Sequence, residues 1–415
     1  MYYKKTIRDV DVSGKRVLVR VDYNVPIDKY GRVTDETRIK ATLPTIKYLL
    51  DKKAKVILMS HLGRPKWGEV NEIYRMDIVA ECLERQLGHP VYKSDDCIGE
   101  HAQNAVRQLK EGSVLLLENL RFHPQEKKND ADFAKQLASL GEVLVDDAFG
   151  MVHRAHASNY GVAKCLPMVA GLLMEKEITM LGQVLSEPKC PFVALLGGAK
   201  VSDKITVIHN LLAKVGMLLI GGGMANTFLK AKGYEIGKSF LEADKVDLAS
   251  SLLQEAEAKG VKLYLPLDVV VAKKMTEDAA TEIVSVDAVP QDSMILDIGP
   301  QTVQAFSKQL MKAETVLWNG PMGVFEMNQF ANGTMSIARF MAELDAITII
   351  GGGDSASAVE MAGVADKITH VSTGGGASLA FLEGKELPGL DIIENKDQAE
   401  NEPSYQKETV SWMNP

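Results

Sequence analysis

One pattern recurs along nearly the whole chain and limits the folds open to it: a short apolar run, then polar or glycine residues, then a stretch with helical spacing. Apolar runs without alternating polar residues are typical of strands buried on both faces of a parallel sheet. Helical stretches such as 36–52 and 73–88 separate them, so the βαβ order predicts an α/β fold with a doubly wound, Rossmann-like sheet. The runs of the first half are 16–21, 55–60, 113–118 and 142–147.

The second half of the chain shows the same order, with glycines at the strand exits. Five such exits in half a chain are hard to attribute to chance, and they predict a second doubly wound domain. A length of 415 residues suits two domains. The runs are 192–196, 216–220, 262–271, 315–318, 346–350 and 369–372, and the glycines lie at 197–198, 221–223, 320, 351–353 and 374–376.

The boundary between the two domains is predicted near residue 187. Residues 171–186 have helical apolar spacing, and prolines follow them, as prolines often follow the end of a helix. We therefore predict an N-terminal domain over 1–187 and a C-terminal domain over 188–390, joined by a hinge with a cleft between them. By composition, the polar residues from Asn395 onward are predicted to be disordered or to lie on the surface.

Charge and cysteine usage exclude several classes of protein. The formal net charge of -8 argues against a nucleic-acid-binding protein, so any anion must be bound by a local basic cluster. The sequence shows no apolar signal-peptide core and no apolar run of the ~20 residues that a membrane span needs, so we expect a cytoplasmic protein without a membrane partner. The cysteines show no CxxC pair and no histidine at metal-ligand spacing, which indicates idle thiols in a reducing compartment.

Basic side chains follow the predicted strands of the first half. Ligands of open parallel sheets bind beyond the carboxyl ends of the strands, so these side chains should converge on one rim. Arginine binds phosphate and carboxylate through a planar fork, and clustered cations repel each other unless an anion joins them. The expected ligand therefore carries at least two negative charges. The candidates are Arg38, Arg64, Arg121, Arg154 and His61, with His156 as a further one.

Asp22 and Asn24 follow the first predicted strand and can accept hydrogen bonds from a ligand hydroxyl. Together with the arginines they suggest a small polyol phosphate, with or without a carboxylate. Any one of these arginines alone is more readily explained as a surface residue paired with a nearby acid. The set at four successive strand exits favours a binding site.

Lys200 and Lys204 follow the glycine pair 197–198 and are four residues apart. If this segment is helical, both ammonium groups share one face near a helix N-terminus, where a phosphate is favoured. The segment matches neither the GxxxxGK[ST] loop nor GxGxxG. The alternative interpretation is a solvated helix face.

Asp354 follows the glycines of residues 351–353 and precedes a predicted helix. Glycines let the backbone approach a phosphate, and a carboxylate beside bound phosphates can bind Mg²⁺. The alternative role of Asp354 is that of a helix N-cap.

Glu326 follows another strand and could accept hydrogen bonds from ribose hydroxyls, or it could be a plain surface carboxylate. The segment 372–376 is a candidate for a phosphate contact or for a flexible joint.

These segments together resemble the phosphoglycerate kinase family. The motifs are long and keep their order from residue 20 to residue 378, so the resemblance covers nearly the full chain. It implies two doubly wound domains joined by a hinge, usually in a monomer, with a C-terminal segment (391–415) that returns to the first domain. The motifs are RVDYNVP (20–26), SHLGRP (60–65), ENLRF (118–122), DDAFG (146–150), HRAHAS (153–158), GGAKVSDK (197–204), GGGMANTF (221–228), WNGPMGVFE (318–326), GGGDS (351–355) and STGGGAS (372–378).

The resemblance also implies two sets of binding residues and a role for Thr373, Gly374 and Gly375 in phosphate binding or in the hinge. Ile295 stands where some family members have glycine near the adenine. The residues expected to bind 3-phosphoglycerate or 1,3-bisphosphoglycerate are Asp22, Tyr23, Asn24, Arg38, His61, Leu62, Gly63, Arg64, Arg121 and Arg154. Those expected to bind ATP or ADP with Mg²⁺ are Gly198, Ala199, Lys200, Lys204, Gly222, Gly223, Ile295, Asn319, Pro321, Glu326, Gly352, Gly353, Asp354 and Ser355, with Asp354 as the metal ligand.

The reaction implied by the resemblance is reversible transfer of the nucleotide γ-phosphoryl group to the carboxylate of 3-phosphoglycerate. Carboxylates have pKa values of about 4, so this nucleophile needs no general base at neutral pH. Among the catalytic residues, we expect Arg38 and Lys200 to contact the transferring group, and Lys204 with Mg²⁺ to hold the nucleotide phosphates. A hinge closure should bring the two halves together.

Two other functions are alternatives to the kinase reaction. An NAD-dependent dehydrogenase would also use doubly wound domains, but the chain lacks GxGxxG after a strand with an acid about 20 residues further on. A non-enzymatic two-domain protein that closes on an anion would bind a ligand without turning over ATP.

Overall fold

The computed structural model describes residues 4–66 and 69–396, and its first half is built on a six-stranded sheet with every strand parallel. The strands are β1 (Arg16–Arg20), β2 (Lys55–Met59), β3 (Val91–Lys93), β4 (Val114–Leu116), β5 (Val143–Asp146) and β6 (Met168–Ala170). Their order across the sheet is β3-β4-β2-β1-β5-β6. The central strands are buried on both faces because helices cover both sides of the sheet.

The helices of the first half bury one apolar face each against this sheet. In one of them, the side chain of Asp130 accepts hydrogen bonds from the backbone N–H groups of Asp132 and Phe133 and so satisfies donors at the helix N-terminus. The helices are α1 (Thr37–Asp51), α2 (Asp77–Leu87), α3 (Gly99–Gln108), α4 (Ala131–Ala138) and α5 (Leu172–Ser186). Helix α5 confirms the predicted helix before residue 187 and leads into the second half.

The second half contains another six-stranded parallel sheet and a small antiparallel one. Its strands are β7 (Phe192–Leu196), β8 (Met217–Ile220), β9 (Lys262–Tyr264), β10 (Asp268–Ala272), β11 (Thr281–Ser285), β12 (Met294–Ile298), β13 (Thr315–Asn319), β14 (Ile347–Gly351) and β15 (His370–Val371). The large sheet has the order β15-β14-β13-β7-β8-β9, and the small one the order β11-β10-β12. The helices are α6 (Ile205–Leu212), α7 (Met224–Ala231), α8 (Val246–Ala258), α9 (Pro300–Leu310), α10 (Asn332–Met341), α11 (Gly353–Met361), α12 (Gly376–Leu382) and α13 (Pro388–Asp391).

The prediction of one strand over 262–271 is wrong, because this stretch is split between two sheets. Strand β9 pairs with the parallel sheet, whereas β10 pairs with the antiparallel one. Pro266 lies between them and has no N–H group with which to continue a ladder. Strands β3, β6, β11 and β12 were not predicted, since β3 and β6 have three residues each, β11 is largely exposed and β12 is interrupted by Asp297.

In each parallel sheet, the first strand along the chain lies in the middle, and the direction in which later strands are added reverses beside it. The chain proceeds from β1 to β2 on one side and later fills the other side with β5, and it does the same around β7 with β8 and β13. A crevice therefore opens at the carboxyl ends of the strands in each half, which is where doubly wound sheets bind ligands. The predicted fold class of two doubly wound parallel sheets is confirmed.

The C-terminal helices contact the first half. The rings of Phe149 and Phe381 lie 6.1 Å apart, and the N–H of Gly389 donates to the carbonyl of Val152 across 2.9 Å. These contacts attach helices α12 and α13 to the segment that follows β5.

The chain beyond α13 also packs on the first half, as far as residue 396. The N–H of Lys5 donates to the carbonyl of Glu394 across 2.8 Å, and Lys396 Nζ lies 2.9 Å from Asp9 Oδ2. Residues 397–415 of the predicted returning tail lie outside the described residues.

Two further expectations can be compared with the structure. All four cysteines, Cys82, Cys97, Cys165 and Cys190, are free thiols. Within residues 4–66 and 69–396, no helix has both the length and the apolar character that crossing a bilayer requires.

Candidate active site

The strand exits of the first half converge on a pocket of about 540 Å³, here called the basic pocket. Glycines 374–376 of the second half line the same pocket, so it lies between the two halves. Lys127, Gly150, Met151 and His153 also line it and were not predicted as ligand contacts. The predicted residues in its wall are Asp22, Asn24, Arg38, His61, Arg64, Arg121 and Arg154.

Hydrogen bonds between the strand exits hold the basic pocket in shape. Arg38 Nη1 donates to Asp22 Oδ2 across 2.9 Å and to the carbonyl of Asn24 across 3.2 Å. The N–H of Gly63 donates to Asn24 Oδ1 across 2.8 Å, and Arg121 Nη1 donates to the carbonyl of Gly63 across 2.6 Å. The cations are thus positioned by the protein before any ligand arrives, which lowers the ordering cost of binding.

The electrostatics of the basic pocket favour an anion. Burial, together with the cations Arg20, Arg121 and Arg38, holds the pKa of His61 well below its usual value. Burial, Arg20 and Arg154 lower the pKa of Arg121 to about 10. Burial is the main cause of both shifts, and the neighbouring arginines add to it, so an anionic ligand would relieve the mutual repulsion of these cations.

Two residues predicted to bind the substrate do not line the basic pocket with their side chains. Tyr23 is fully buried, and its hydroxyl lies 2.8 Å from Thr42 Oγ1. Leu62 belongs to the apolar core of the first half. Side chains alternate along an extended segment, so Asp22 and Asn24 face the pocket while the residue between them faces the core.

His156, the further candidate named from the sequence, lies behind the basic pocket rather than in its wall. It is buried, and its Nδ1 lies 3.7 Å from Glu126 Oε1. His156 packs behind the wall of the basic pocket and does not line it, so it does not contact a ligand there directly.

A second pocket, of about 580 Å³ and largely apolar, opens at the strand exits of the second half and is here called the glycine pocket. The small antiparallel sheet forms one of its walls through Val269, Met294 and Ile295, and Phe240 and Met275 add apolar surface. Only Ile295 among these five was expected. The predicted residues in the wall are Gly198, Ala199, Gly222, Gly223, Ile295, Pro321, Glu326 and Asp354.

Close backbone approach explains two glycines beside the glycine pocket. At Gly222, with φ of +66°, a Cβ would stand 2.7 Å from the nitrogen of Gly198 and from the carbonyl oxygen of Pro321. At Gly320, with φ of +97°, a Cβ would stand 2.2 Å from the carbonyl oxygen of Gly197. Any side chain there would push apart the strand exits that form the pocket.

The prediction that Lys200 and Lys204 share one face of a helix is wrong, because α6 begins at Ile205. Lys200 is exposed in the loop that precedes the helix. Lys204 is partly buried, and its Nζ donates to Asn319 Oδ1 at the end of β13. Burial lowers the pKa of Lys204, while nearby carboxylates oppose that shift. The two lysines therefore stand in a loop and a turn beside the strand exits, with different degrees of burial.

Asp354 lies in the first turn of α11, where it is exposed at the edge of the glycine pocket. It is not the N-cap, because Gly352 occupies that position with φ of 93°. Ser355 is buried, and its Oγ accepts a hydrogen bond from the N–H of Gly320 across 2.6 Å. Asn319 Nδ2, beside Gly352, is buried without a hydrogen-bond partner among the described residues. A donor left unpaired beside a glycine-rich helix start suits a phosphate oxygen.

The residues at this edge fit a magnesium ion held with a nucleotide. Mg²⁺ prefers oxygen ligands and is usually bound by one or two carboxylates together with substrate phosphates. Asp354 offers one exposed carboxylate there, and the phosphates would supply the other oxygens.

The glycine run 374–376 lies between the two halves. The N–H and the hydroxyl of Thr373 donate to Glu177 Oε1 on α5, across 2.7 and 2.8 Å. The following glycines, Gly374 and Gly375, line the basic pocket. The run thus joins α5 to the wall of the basic pocket. This location is compatible with phosphate binding and with a hinge, the two roles considered from the sequence.

Comparisons with known proteins agree with this arrangement. A family model described as phosphoglycerate kinase matches residues 7–385. Curated proteins named phosphoglycerate kinase from Pelotomaculum thermopropionicum and Moorella thermoacetica are 60% and 61% identical over 393 residues, which cover 95% of this chain and 100% of each relative.

Solved structures give the same result. The structure of phosphoglycerate kinase from Coxiella burnetii matches with a TM-score of 0.83 at 40% identity, and the crystal structure of phosphoglycerate kinase from Pyrococcus horikoshii OT3 matches with a TM-score of 0.83 at 34% identity. Each comparison covers 94% of this chain and 98% of the other chain.

Proposed function

Because the chain belongs to the phosphoglycerate kinase family, we propose that its basic pocket binds the phosphoglycerate and its glycine pocket binds the nucleotide. The chain is a kinase that transfers a phosphoryl group reversibly between 1,3-bisphosphoglycerate with ADP and 3-phosphoglycerate with ATP. The proposal concerns which residues of this chain perform that reaction.

One observation carries the proposal: the wall of the basic pocket is made by both halves of the chain. Arginines and His61 come from the strand exits of the first half, and residues 374–376 come from the second half, which also holds the glycine pocket. We propose that two bound anions meet between the halves, shielded from water when the halves approach each other.

The roles proposed for individual residues follow from their positions. Arg38 lines the basic pocket, and with Lys200 it would neutralise charge on the transferring group. Lys204, whose ammonium group reaches the end of β13, would hold the nucleotide phosphates together with Asn319 Nδ2, which has no hydrogen-bond partner among the described residues. Asp354 would hold Mg²⁺, which neutralises phosphate charge when it is bound.

The remaining nucleotide contacts are proposed from the lining of the glycine pocket. The base would lie against the apolar residues of the small sheet, next to the backbone of Gly198, Ala199 and residues 222–223. Glu326, exposed at the pocket edge, would accept hydrogen bonds from the ribose hydroxyls.

The chemistry proposed here needs no general base. The acceptor is a carboxylate that is ionised at neutral pH. His61 and His156 fit that picture, since burial and neighbouring arginines lower the pKa of both. A neutral His61 in the wall of the basic pocket can donate a hydrogen bond to an anion, and no proton has to be removed from the substrate.

We further propose a two-domain organisation of the chain. We place the N-terminal domain at 1–187, with residues 391–396 packing back on it, and the C-terminal domain at 188–390. Helix α5 and the residues around Thr373 would form the hinge. A monomer in the cytoplasm, without nucleic-acid or membrane partners, completes the proposal.

A coupled assay for ADP formation from Mg²⁺-ATP and 3-phosphoglycerate tests the function directly. We expect turnover that requires both substrates, and Arg38→Ala should lose most of it while Arg32→Ala, an exposed arginine paired with Asp28, should keep it. Reduction of NAD by a candidate substrate, or binding of 3-phosphoglycerate without ATP turnover, would contradict the proposal.

A further inference from the structure

Three metal-ligating side chains meet at a place that neither pocket uses. Asp96 and Cys97 lie between β3 and α3, and His123 lies after β4. Their ligand atoms all lie within 4.8 Å of one another, and His123 Nε2 is 2.7 Å from Asp96 Oδ1. The interpretation of Cys97 as an idle thiol without a histidine nearby is therefore incomplete, because folding brings together residues that are far apart along the chain.

We propose that Asp96, Cys97 and His123 form a binding site for Zn²⁺ or another thiophilic divalent cation. Thiolate, imidazole and carboxylate are ligands that Zn²⁺ takes in proteins, whereas Mg²⁺ and Ca²⁺ prefer oxygen ligands alone. The side chains of His123 and Asp96 are 24% and 39% exposed, so water can reach the cluster and occupy the fourth position. The site is independent of the proposed kinase function.

Small movements would give the cluster metal-binding geometry. Zn²⁺ lies about 2.3 Å from sulfur and about 2.0–2.2 Å from nitrogen and oxygen, so the ligand atoms must draw together around the ion. The thiol of Cys97 releases its proton to solvent on binding, and His123 must present Nε2 without a hydrogen and so carry its proton on Nδ1. The bound thiolate and carboxylate then balance the two charges of the ion.

Cys97 is fully buried, so its thiol is a poor nucleophile toward reagents in solution. A cation entering from the exposed side of His123 and Asp96 would reach the sulfur without unfolding the core.

The bound ion would join two segments of the first half. It would tie the loop before α3 to the segment after β4, which carries Arg121 two residues before His123. An ion that binds the folded chain and not the unfolded chain raises the unfolding temperature. We therefore expect Zn²⁺ to stabilise the protein against heat.

Titration of the chelator-treated full chain with Co²⁺ alone, and then with Zn²⁺, tests the site. We expect one equivalent of Co²⁺ to give the visible bands of a tetrahedral site and a near-ultraviolet thiolate band, which Zn²⁺ then removes. Cys97→Ser should lose the thiolate band, and His123→Gln should lose the tetrahedral bands. Both variants should lose the rise in unfolding temperature with Zn²⁺. Cys165→Ser, which changes an exposed thiol, should behave as the parent chain does.

Absence of the Co²⁺ bands in the parent chain would overturn the proposal. Three other results would also overturn the proposal and assign the binding to another place. They are a thiolate band that survives in Cys97→Ser, tetrahedral bands that survive in His123→Gln, and bands that disappear in Cys165→Ser. Circular dichroism of each variant, recorded without metal, separates loss of the site from loss of the fold.

Discussion

Arg20 Nη2 lies 3.2 Å from His61 Nδ1, behind the wall of the basic pocket. Arginine has no acceptor and stays protonated, so Nδ1 must accept this hydrogen bond and the neutral ring of His61 must carry its proton on Nε2. Arg20 Nε also donates to Ser158 Oγ across 2.8 Å, and that hydroxyl donates to Glu126 Oε1 across 2.6 Å. A buried cation thus orients a histidine of the basic pocket without lining the pocket itself.

Arg20→Met should raise the KM for 3-phosphoglycerate by roughly tenfold, about 1.4 kcal/mol, and leave the KM for ATP nearly unchanged. The substitution removes a positive charge and the donor that fixes the His61 tautomer. Steady-state kinetics and the nitrogen chemical shifts of His61 measure the two effects. Arg16→Met, on the same strand but partly exposed, is the control. A protonated Nδ1 in the parent chain would contradict the assignment.

Arg38→Ala should reduce kcat by roughly 100-fold or more, with a much smaller effect on nucleotide affinity, because its charge is required mainly in the transition state. Arg38→Lys should recover part of the activity, since it restores the charge without the planar fork. Steady-state kinetics in which both substrates are varied show how much of the effect of each substitution falls on kcat and how much falls on KM. Near-normal turnover in the alanine variant would remove Arg38 from the mechanism.

Asp354→Asn should raise the Mg²⁺ concentration needed for half-maximal activity, because the amide is a weaker ligand than the carboxylate. The matched control is Glu360→Gln, which changes an exposed acid further along α11. Activity measured against free Mg²⁺ at fixed ATP gives the comparison. Identical Mg²⁺ dependence in the two variants would place the metal elsewhere.

The contribution of His156 to stability should fall as the pH decreases from about 6.5 toward 4. Burial and Arg20 lower the pKa of His156 from 6.5 to about 4 in the folded chain. Between these values the unfolded chain binds the proton more readily, so acid favours unfolding. The urea unfolding midpoint of His156→Gln should therefore rise relative to that of the parent chain as the pH decreases across this range. Equal slopes would mean that His156 does not contribute.

Glu177→Ala should lower the free energy of unfolding by roughly 2 kcal/mol, because it leaves buried donors without a partner. Glu177 Oε2 lies 2.7 Å from His370 Nε2, and Oε1 accepts both hydrogen bonds from Thr373. Urea unfolding measures the loss, and Glu175→Ala, more exposed on the same helix, is the control. Equal stability of the two variants would show that this link between α5 and β15 contributes little.

The type of sheet, the order of most elements and the residues at the strand exits follow from the amino-acid sequence. These features depend on local patterns, since a buried apolar run followed by a helical stretch leaves few alternatives to a parallel sheet. The basic exits and the glycine exits could therefore be identified from residue types and their spacing.

Which side chains meet depends on the packed chain. Packing places Tyr23 and Leu62 in the core, Arg20 behind His61, and residues 374–376 against the basic pocket of the other half. Helix α6 begins only after the two lysines, and the strand predicted over 262–271 divides between two sheets. The physical reason is that pleat direction, strand pairing and contacts between distant segments are set by the whole tertiary structure, whereas sequence patterns report only on local conformation.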